Sequence, residues 1–438
     1  MRIAALALLL TAVTTRAADP AGSDYWPHWR GPLANGTSPM ADPPTTWDAK
    51  TNVKWTAALP GKGSSSPIVW GDRVFVATAV ETDKQARPED LPTRDPRFKV
   101  NTQAPTTYHQ FIVLCFDRAT GKELWRHVAA EKVPHEGHHE THTYAGGSPT
   151  TDGRRLYVSF GSFGNFAYGF DGKQLWARDL GRLHTSLGWG EAVTPVIHGD
   201  SLLLNWDQEA DSKLYCLDPA TGATKWEASR DEKSSWNTPL VVEHKGTTQV
   251  IVNGTTRIRS HDLATGKVLW SCSGMTVNPI PSAVAADGVA YVMSGYRGAA
   301  AVAVSLDARG EIGPGSGLLW KYGKGTPYVP SPLLSNGRLY FTQGNQNPLT
   351  VLEAKTGKPL LEQERLTGAS SFYSSPVAAA GRIYLVGQNG TTLVFKEGDR
   401  PELIATNKLN EPIDATPALA GKQLFLRAHR RLYCIEGQ

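Results

Sequence analysis

Eight short segments opening with Ser-Pro, Thr-Pro or a close variant recur along this 438-residue chain, and their spacing leaves few folds open. They are Ser66-Pro67, Ser148-Pro149, Thr194-Pro195, Thr238-Pro239, the inverted Pro281-Ser282, Ser331-Pro332, Ser375-Pro376 and Thr416-Pro417. Successive prolines stand 82, 46, 44, 42, 51, 44 and 41 residues apart. A period in the forties, long enough for four strands, is the mark of a β-propeller, whose blades bury their faces only by stacking.

A second motif follows about half a period later. It reads Asp117-Arg118-Ala119-Thr120-Gly121-Lys122-Glu123-Leu124-Trp125, and it returns around Asp218–Trp226, Asp262–Trp270 and Glu353–Leu360. Shorter forms run from Asp171 to Trp176 and from Asp307 to Trp320. Asp and Thr side chains hydrogen-bond their own backbone, and Gly accepts a positive φ, so each copy predicts a hairpin turn. The Trp then opens the outer strand and offers its ring to the neighbouring blade.

The last unit is short of a strand. After Pro417 two strand-like stretches, 423–427 and 431–435, are followed by the chain end, whereas Val53-Lys54-Trp55-Thr56 stands alone near the start. Placing that segment as the outer strand of the last blade closes the ring and hides its edges. The predicted fold is therefore all-β: an eight-bladed β-propeller of four-stranded antiparallel blades, closed by an N-terminal strand completing the last blade. Residues 53–438 form the propeller, with an insertion at 80–109 and a histidine-rich loop at 127–145; residues 18–52 form an N-terminal arm.

Residues 1–17 read as a cleavable secretory signal, with Arg2, an apolar run over 3–13 and small residues before a cut after Ala17. The apolar run is too short to span a bilayer, and no cysteine follows it to take a lipid anchor. A periplasmic or secreted location without a transmembrane segment is expected. A formal net charge of +4 over this length makes no case for nucleic acid. Export raises the question of disulfides. Cys115, Cys216 and Cys434 share one register on different blades, too far apart to bridge, and Cys272 follows Trp270 in an outer strand; all four are expected as buried free thiols.

The pattern Ser-Pro…Leu-Tyr…Leu-Asp-x-x-Thr-Gly-x-x-Leu-Trp resembles the pyrroloquinoline-quinone (PQQ)-type, BamB-like propeller repeat over residues 53–438. With the arm motif Trp26-Pro27-His28-Trp29-Arg30-Gly31-Pro32, the whole chain most resembles exported propellers of planctomycete-like bacteria. The resemblance implies one of two functions. Quinoprotein dehydrogenases hold the quinone and a calcium ion above the axis; BamB-type assembly proteins use the same ring to bind other proteins. The repeat specifies the fold far more tightly than the function.

Segments entering the innermost strands gather around a propeller axis. Here they and the second connections of the blades carry Trp189, Glu191, Trp236, Asn237, Asn278, Arg297, Tyr328, Tyr373 and Asp414, a set suited to a polar ligand in an aromatic cavity. Such residues equally pack loops and cap turns. For a quinoprotein, Glu191, Asn237 or Asn278, and Asp414 are oxygen donors of the type calcium takes, and Trp189 or Trp236 is a stacking floor. The adjacent-cysteine disulfide, long cofactor-covering loops and a Cys-x-x-Cys-His haem site are all missing, so no cofactor is expected and PQQ with calcium is the alternative. Between the first two blades, four histidines and two glutamates fall within eight residues, and His135, His138, His139 and His142 are metal candidates. A solvated polar loop is the competing explanation. The proline-rich insertion at 80–109 fits a lid, a docking arm or a tolerated loop. A non-catalytic exported binding scaffold, BamB-like, recognising a protein or polysaccharide partner at one face, is the favoured expectation; a quinoprotein oxidoreductase and a metal-binding protein using the histidine loop are the alternatives.

Overall fold

The computed structural model describes residues 25–93 and 95–437; the signal segment 1–17 and its cut after Ala17 lie outside them. Eight sheets surround one axis. Blade 1 is Ile68–Trp70, Arg73–Gln85, Thr107–Asp117 and Glu123–Lys132, and blade 3 is Val196–His198, Ser201–Trp206, Ser212–Leu217 and Thr224–Arg230. Neighbouring strands within a blade are antiparallel, as their short connections require. Blade 8 closes as the sequence predicts. Val53–Ala58 pairs with Arg431–Glu436, setting Trp55 opposite Cys434. Blade 4 gains a fifth strand, Gly310–Ile312, which lies parallel to Val268–Cys272.

Apolar clusters fill the gaps between blades. Phe75 and Cys115 of blade 1 meet Leu156 and Tyr168 of blade 2, and Val74 and Leu114 meet Leu424 and Leu432 of blade 8. Each blade buries both faces, so its middle strands run almost continuously buried. Cys115, Cys216 and Cys434 lie in equivalent strands, and all four thiols are free and buried.

The recurring turn explains how blades lock. Asp117 Oδ1 accepts hydrogen bonds from Thr120 N (2.8 Å) and Thr120 Oγ1 (2.6 Å), and Asp218 and Asp262 repeat the arrangement. The glycine that follows is the seat of the previous blade's tryptophan. A Cβ on Gly121 would stand 2.5 Å from the Trp55 ring, and φ there is +73°. Trp55 Nε1 donates to Arg118 O at 2.9 Å in the same turn. Trp125, Trp176, Trp226 and Trp320 dock in the same way on the turns of blades 2, 3, 4 and 6. Trp270 departs from the pattern and donates inward to Gln249 Oε1 at 3.0 Å. Its neighbouring blade replaces the compact turn with the excursion that supplies Gly310–Ile312.

The arm crosses the base of the ring. Trp26 exchanges backbone hydrogen bonds with Val69 of blade 1, and Pro27 O accepts from Thr151 N of blade 2. Arg30, fully buried, donates to Pro332 O (2.6 Å) and Pro376 O (3.0 Å) on blades 6 and 7. Thr37–Ser38 runs parallel to Val377–Ala379, and Trp47 N donates to Asn407 Oδ1 at 2.7 Å. Among the described residues, no helix is long and apolar enough to cross a membrane.

Candidate functional site

The Ser/Thr of each repeat motif forms an inner collar. Its backbone N–H donates to the hydroxyl of the next blade: Ser66 to Ser148 (2.9 Å), Ser148 to Thr194 (3.0 Å), Thr238 to Ser282 (2.8 Å) and Ser282 to Ser331 (2.9 Å). Ser331 to Ser375 (2.9 Å), Ser375 to Thr416 (3.0 Å) and Thr416 back to Ser66 (3.0 Å) complete the circuit. Between Thr194 and Thr238, the Thr238 hydroxyl instead accepts from Trp29 Nε1 of the arm at 3.2 Å. Ser282 holds the collar register with Ala283 after it, so the apparent Pro-Ser inversion in blade 5 is a loss of the proline rather than a shift.

Above this collar lies a cavity of about 330 Å³, bordered by Trp29. Trp189, Trp236, Tyr296, Tyr328 and Tyr373 border it as well. Trp189 and Trp236 stack with ring centroids 6.4 Å apart, Tyr296 stands edge-on to Trp189 at 5.8 Å, and Tyr328 stacks on Tyr296 at 4.9 Å. Trp236 Nε1 donates to Gly190 O (2.7 Å), and Tyr373 OH donates to Asn345 Oδ1 (3.1 Å), which fixes these rings. Rigid aromatic walls present area at low conformational cost, and the hydroxyls and Asn345 give a ligand directional contacts.

Asp414 also lines the cavity, with one oxygen 2.7 Å from Gln388 Nε2 and the other 2.8 Å from His429 Nε2. His139 and His142 reach the wall. The His142 ring bonds to Glu191 O at 3.0 Å, and burial holds its pKa down at about 4, so it is neutral at physiological pH.

Other predicted residues fall elsewhere. Glu191 turns its carboxylate away from the axis, into the wall between blades 2 and 3, where it accepts from Ser162 N at 2.7 Å; burial pushes its pKa up to about 8. Asn237 is buried, with its amide bonded to Ser235, Asn253 O and Asn253 N. Asn278 takes a positive φ of 53°, and its backbone N–H donates to Thr255 Oγ1, outside the cavity. Arg297 is exposed and lies over Tyr296 at 5.2 Å. His138 stands edge-on to Tyr144, and His135 sits among Glu136, His184 and Glu191, so the four histidines do not gather at one point.

This arrangement bears on a quinone with calcium. Calcium asks for six to eight oxygens around one point. Asp414, Glu191 and Asn237 face different neighbours, and Trp189 and Trp236 face each other. The residues present do not fit that pair of cofactors.

Sequence reasoning missed Trp29, because nothing periodic marks an arm that acts by single insertions. It also missed the collar hydroxyls as a surface, although the motif that carries them is the clearest signal in the chain. The insertion at 80–109 docks on the loop after blade 2: Phe98 stacks on His184 at 4.3 Å, and Thr102 Oγ1 donates to Gly188 O at 2.7 Å.

Fold and site define an eight-bladed β-propeller with a walled axial cavity, plugged at its base by its own arm. The family model described as "Outer membrane protein assembly factor BamB" matches residues 109–305, somewhat under half of the chain. BamB from Moraxella catarrhalis superposes with a TM-score of 0.54 at 13% identity, covering 82% of this chain and 98% of that one. The computationally designed Ika8 protein gives 0.56 at 11% identity, covering 86% and 98%. A europium-containing methanol dehydrogenase gives 0.47 at 12% identity, covering 95% and 99%. None of the curated proteins compared with the chain matches it.

Proposed function

We propose that this protein is an exported, non-catalytic binding propeller, BamB-like, that recognises a protein or polysaccharide partner at the face where the axial cavity opens. The carrying observation is the composition of that cavity. Six tryptophan and tyrosine rings and a collar of hydroxyls surround about 330 Å³, and the one carboxylate among the lining residues, Asp414, is already engaged by Gln388 and His429. Such a surface recognises a polar, uncharged segment by stacking and hydrogen bonding. The family model named for an outer membrane protein assembly factor supports a protein partner and a periplasmic setting. The aromatic walls accept a sugar ring equally well.

The test is a tryptophan-fluorescence titration of the full chain with defined oligosaccharides and extended peptides. A saturable change with members of one set, lost in Trp189→Ala with Trp236→Ala, is expected. Dye-linked alcohol or sugar oxidation after addition of PQQ and calcium, with saturable quinone binding, would replace the scaffold by an oxidoreductase.

A further inference from the structure

We propose that His135, Glu136 and His184 form a binding site for one divalent transition-metal ion of the zinc class, separate from the axial cavity and independent of what that cavity binds. His135 and Glu136 come from the histidine-rich loop after blade 1; His184 comes from the connection between blades 2 and 3. One donor atom from each lies within 4.8 Å of the others, a grouping brought together by the fold from positions 48 residues apart.

Three features point to an ion rather than a polar cluster that is complete in itself. Two of the three, His135 and Glu136, border a small cavity of about 10 Å³ together with Glu191, Tyr144 and Phe163; His184 is not part of its lining. That is close to the room one water-sized sphere needs. The donors are also oriented from behind, as metal ligands commonly are. Glu136 Oε2 is held by Thr185 N and Thr185 Oγ1, both at 3.1 Å, which leaves Oε1 directed at His184 Nδ1, 3.0 Å away. His135 Nε2 lies 2.8 Å from Leu183 O, and Phe98 stacks over the His184 ring, so neither imidazole swings freely. Lastly, a second acidic side chain is at the cluster's edge: Glu191 Oε1 is 3.9 Å from the His135 ring, at the nitrogen that also contacts Leu183 O.

Two imidazoles and one carboxylate with a further position open are the donor set that zinc takes at non-structural sites, and imidazole favours zinc over calcium or magnesium. Binding would close the wider donor separations, which reach up to 4.8 Å, to about 3.3 Å around a tetrahedral ion, while the 3.0 Å pair of Glu136 Oε1 and His184 Nδ1 opens slightly. It would also fasten the histidine-rich loop and the inserted segment at Phe98 to the blade 2–3 connection.

The full chain, freed of metal by a chelator, is titrated with Zn²⁺ by calorimetry and with Co²⁺ by visible spectroscopy. One ion per chain is expected, with a tetrahedral Co²⁺ band that Zn²⁺ abolishes. His184→Ala and Glu136→Gln should each weaken binding by more than about 100-fold, while a His138→Ala/His139→Ala double variant retains it. Should those variants unfold, the wild-type protein still decides: the His135 and His184 imidazole NMR signals must shift on Zn²⁺ addition. Absence of stoichiometric binding, or a site that survives His184→Ala and disappears in the His138/His139 double variant, overturns the proposal.

Discussion

At the residue scale, the docking of each outer-strand tryptophan on the next blade's turn glycine is the contact that makes stacking specific. Gly121→Ala combines two costs. An L-residue at φ +73° is strained, and its Cβ would enter the Trp55 ring 2.5 Å away. A loss of about 2–4 kcal/mol is expected by denaturant unfolding; a loss near zero would mean that Trp55 can move away without consequence. Trp55→Ala, at the same junction, should cost about 3–5 kcal/mol. Buried histidine adds a pH dependence. His261 is fully buried, and burial holds its pKa at about 4; burial and the adjacent Arg30 hold His28 at about 3. Unfolded histidine titrates near 6.5. The native state therefore binds fewer protons than the unfolded chain below that value. The histidine contribution is at its full level above pH 6.5 and falls as the pH drops from 6.5 toward 4, by up to about 1.4 kcal/mol per pH unit for each such group. Glu191, pushed up to about 8, contributes a slope of the opposite sign between its ordinary value and 8. Denaturant midpoints measured from pH 7 to pH 4 should show this slope, and His261→Gln should flatten it.

At the element scale, the arm and the closing strand have separable roles. Deleting residues 1–47 keeps Val53–Ala58 in blade 8 but removes the Trp29 plug and the Arg30 bonds to blades 6 and 7. This variant should melt cooperatively at a lower temperature. Deleting residues 1–60 removes the closing strand too, exposing the edge of Arg431–Glu436 and the core side of Trp55's site. It should lose cooperative melting by circular dichroism; a truncated chain that melts like the longer one would refute closure by strand exchange. Closure was legible in the sequence because a strand lacking at one end matched an orphan at the other. Where the arm docks was not, since Trp26, Trp29, Arg30 and Trp47 act through single insertions with no period to read. The fate of Glu191 and Asn237 was hidden for a related reason. Residues entering an inner strand face alternately toward the axis and into the gap between blades, and composition does not tell which.

At the scale of the whole molecule, one motif does two jobs. The Ser/Thr-Pro repeat sets the innermost strands and, through its hydroxyls, stitches blade to blade around the cavity floor. That the repeat means a propeller was legible from spacing alone. That Trp189, Trp236, Tyr328 and Tyr373 share one cavity followed from the architecture, but His184 joining His135 and Glu136 did not, because their contact crosses blades with no shared pattern. The central claim is that partners engage the axial cavity and not the outer edges of the blades. Site-specific photocrosslinking in the native host tests it most directly, with a photoreactive residue placed at Tyr328 in the cavity or at Leu403, exposed on the outer strand of blade 7. Discrete protein or polysaccharide adducts from position 328, and none from position 403, are the predicted result; adducts from position 403 with none from the cavity would contradict the account.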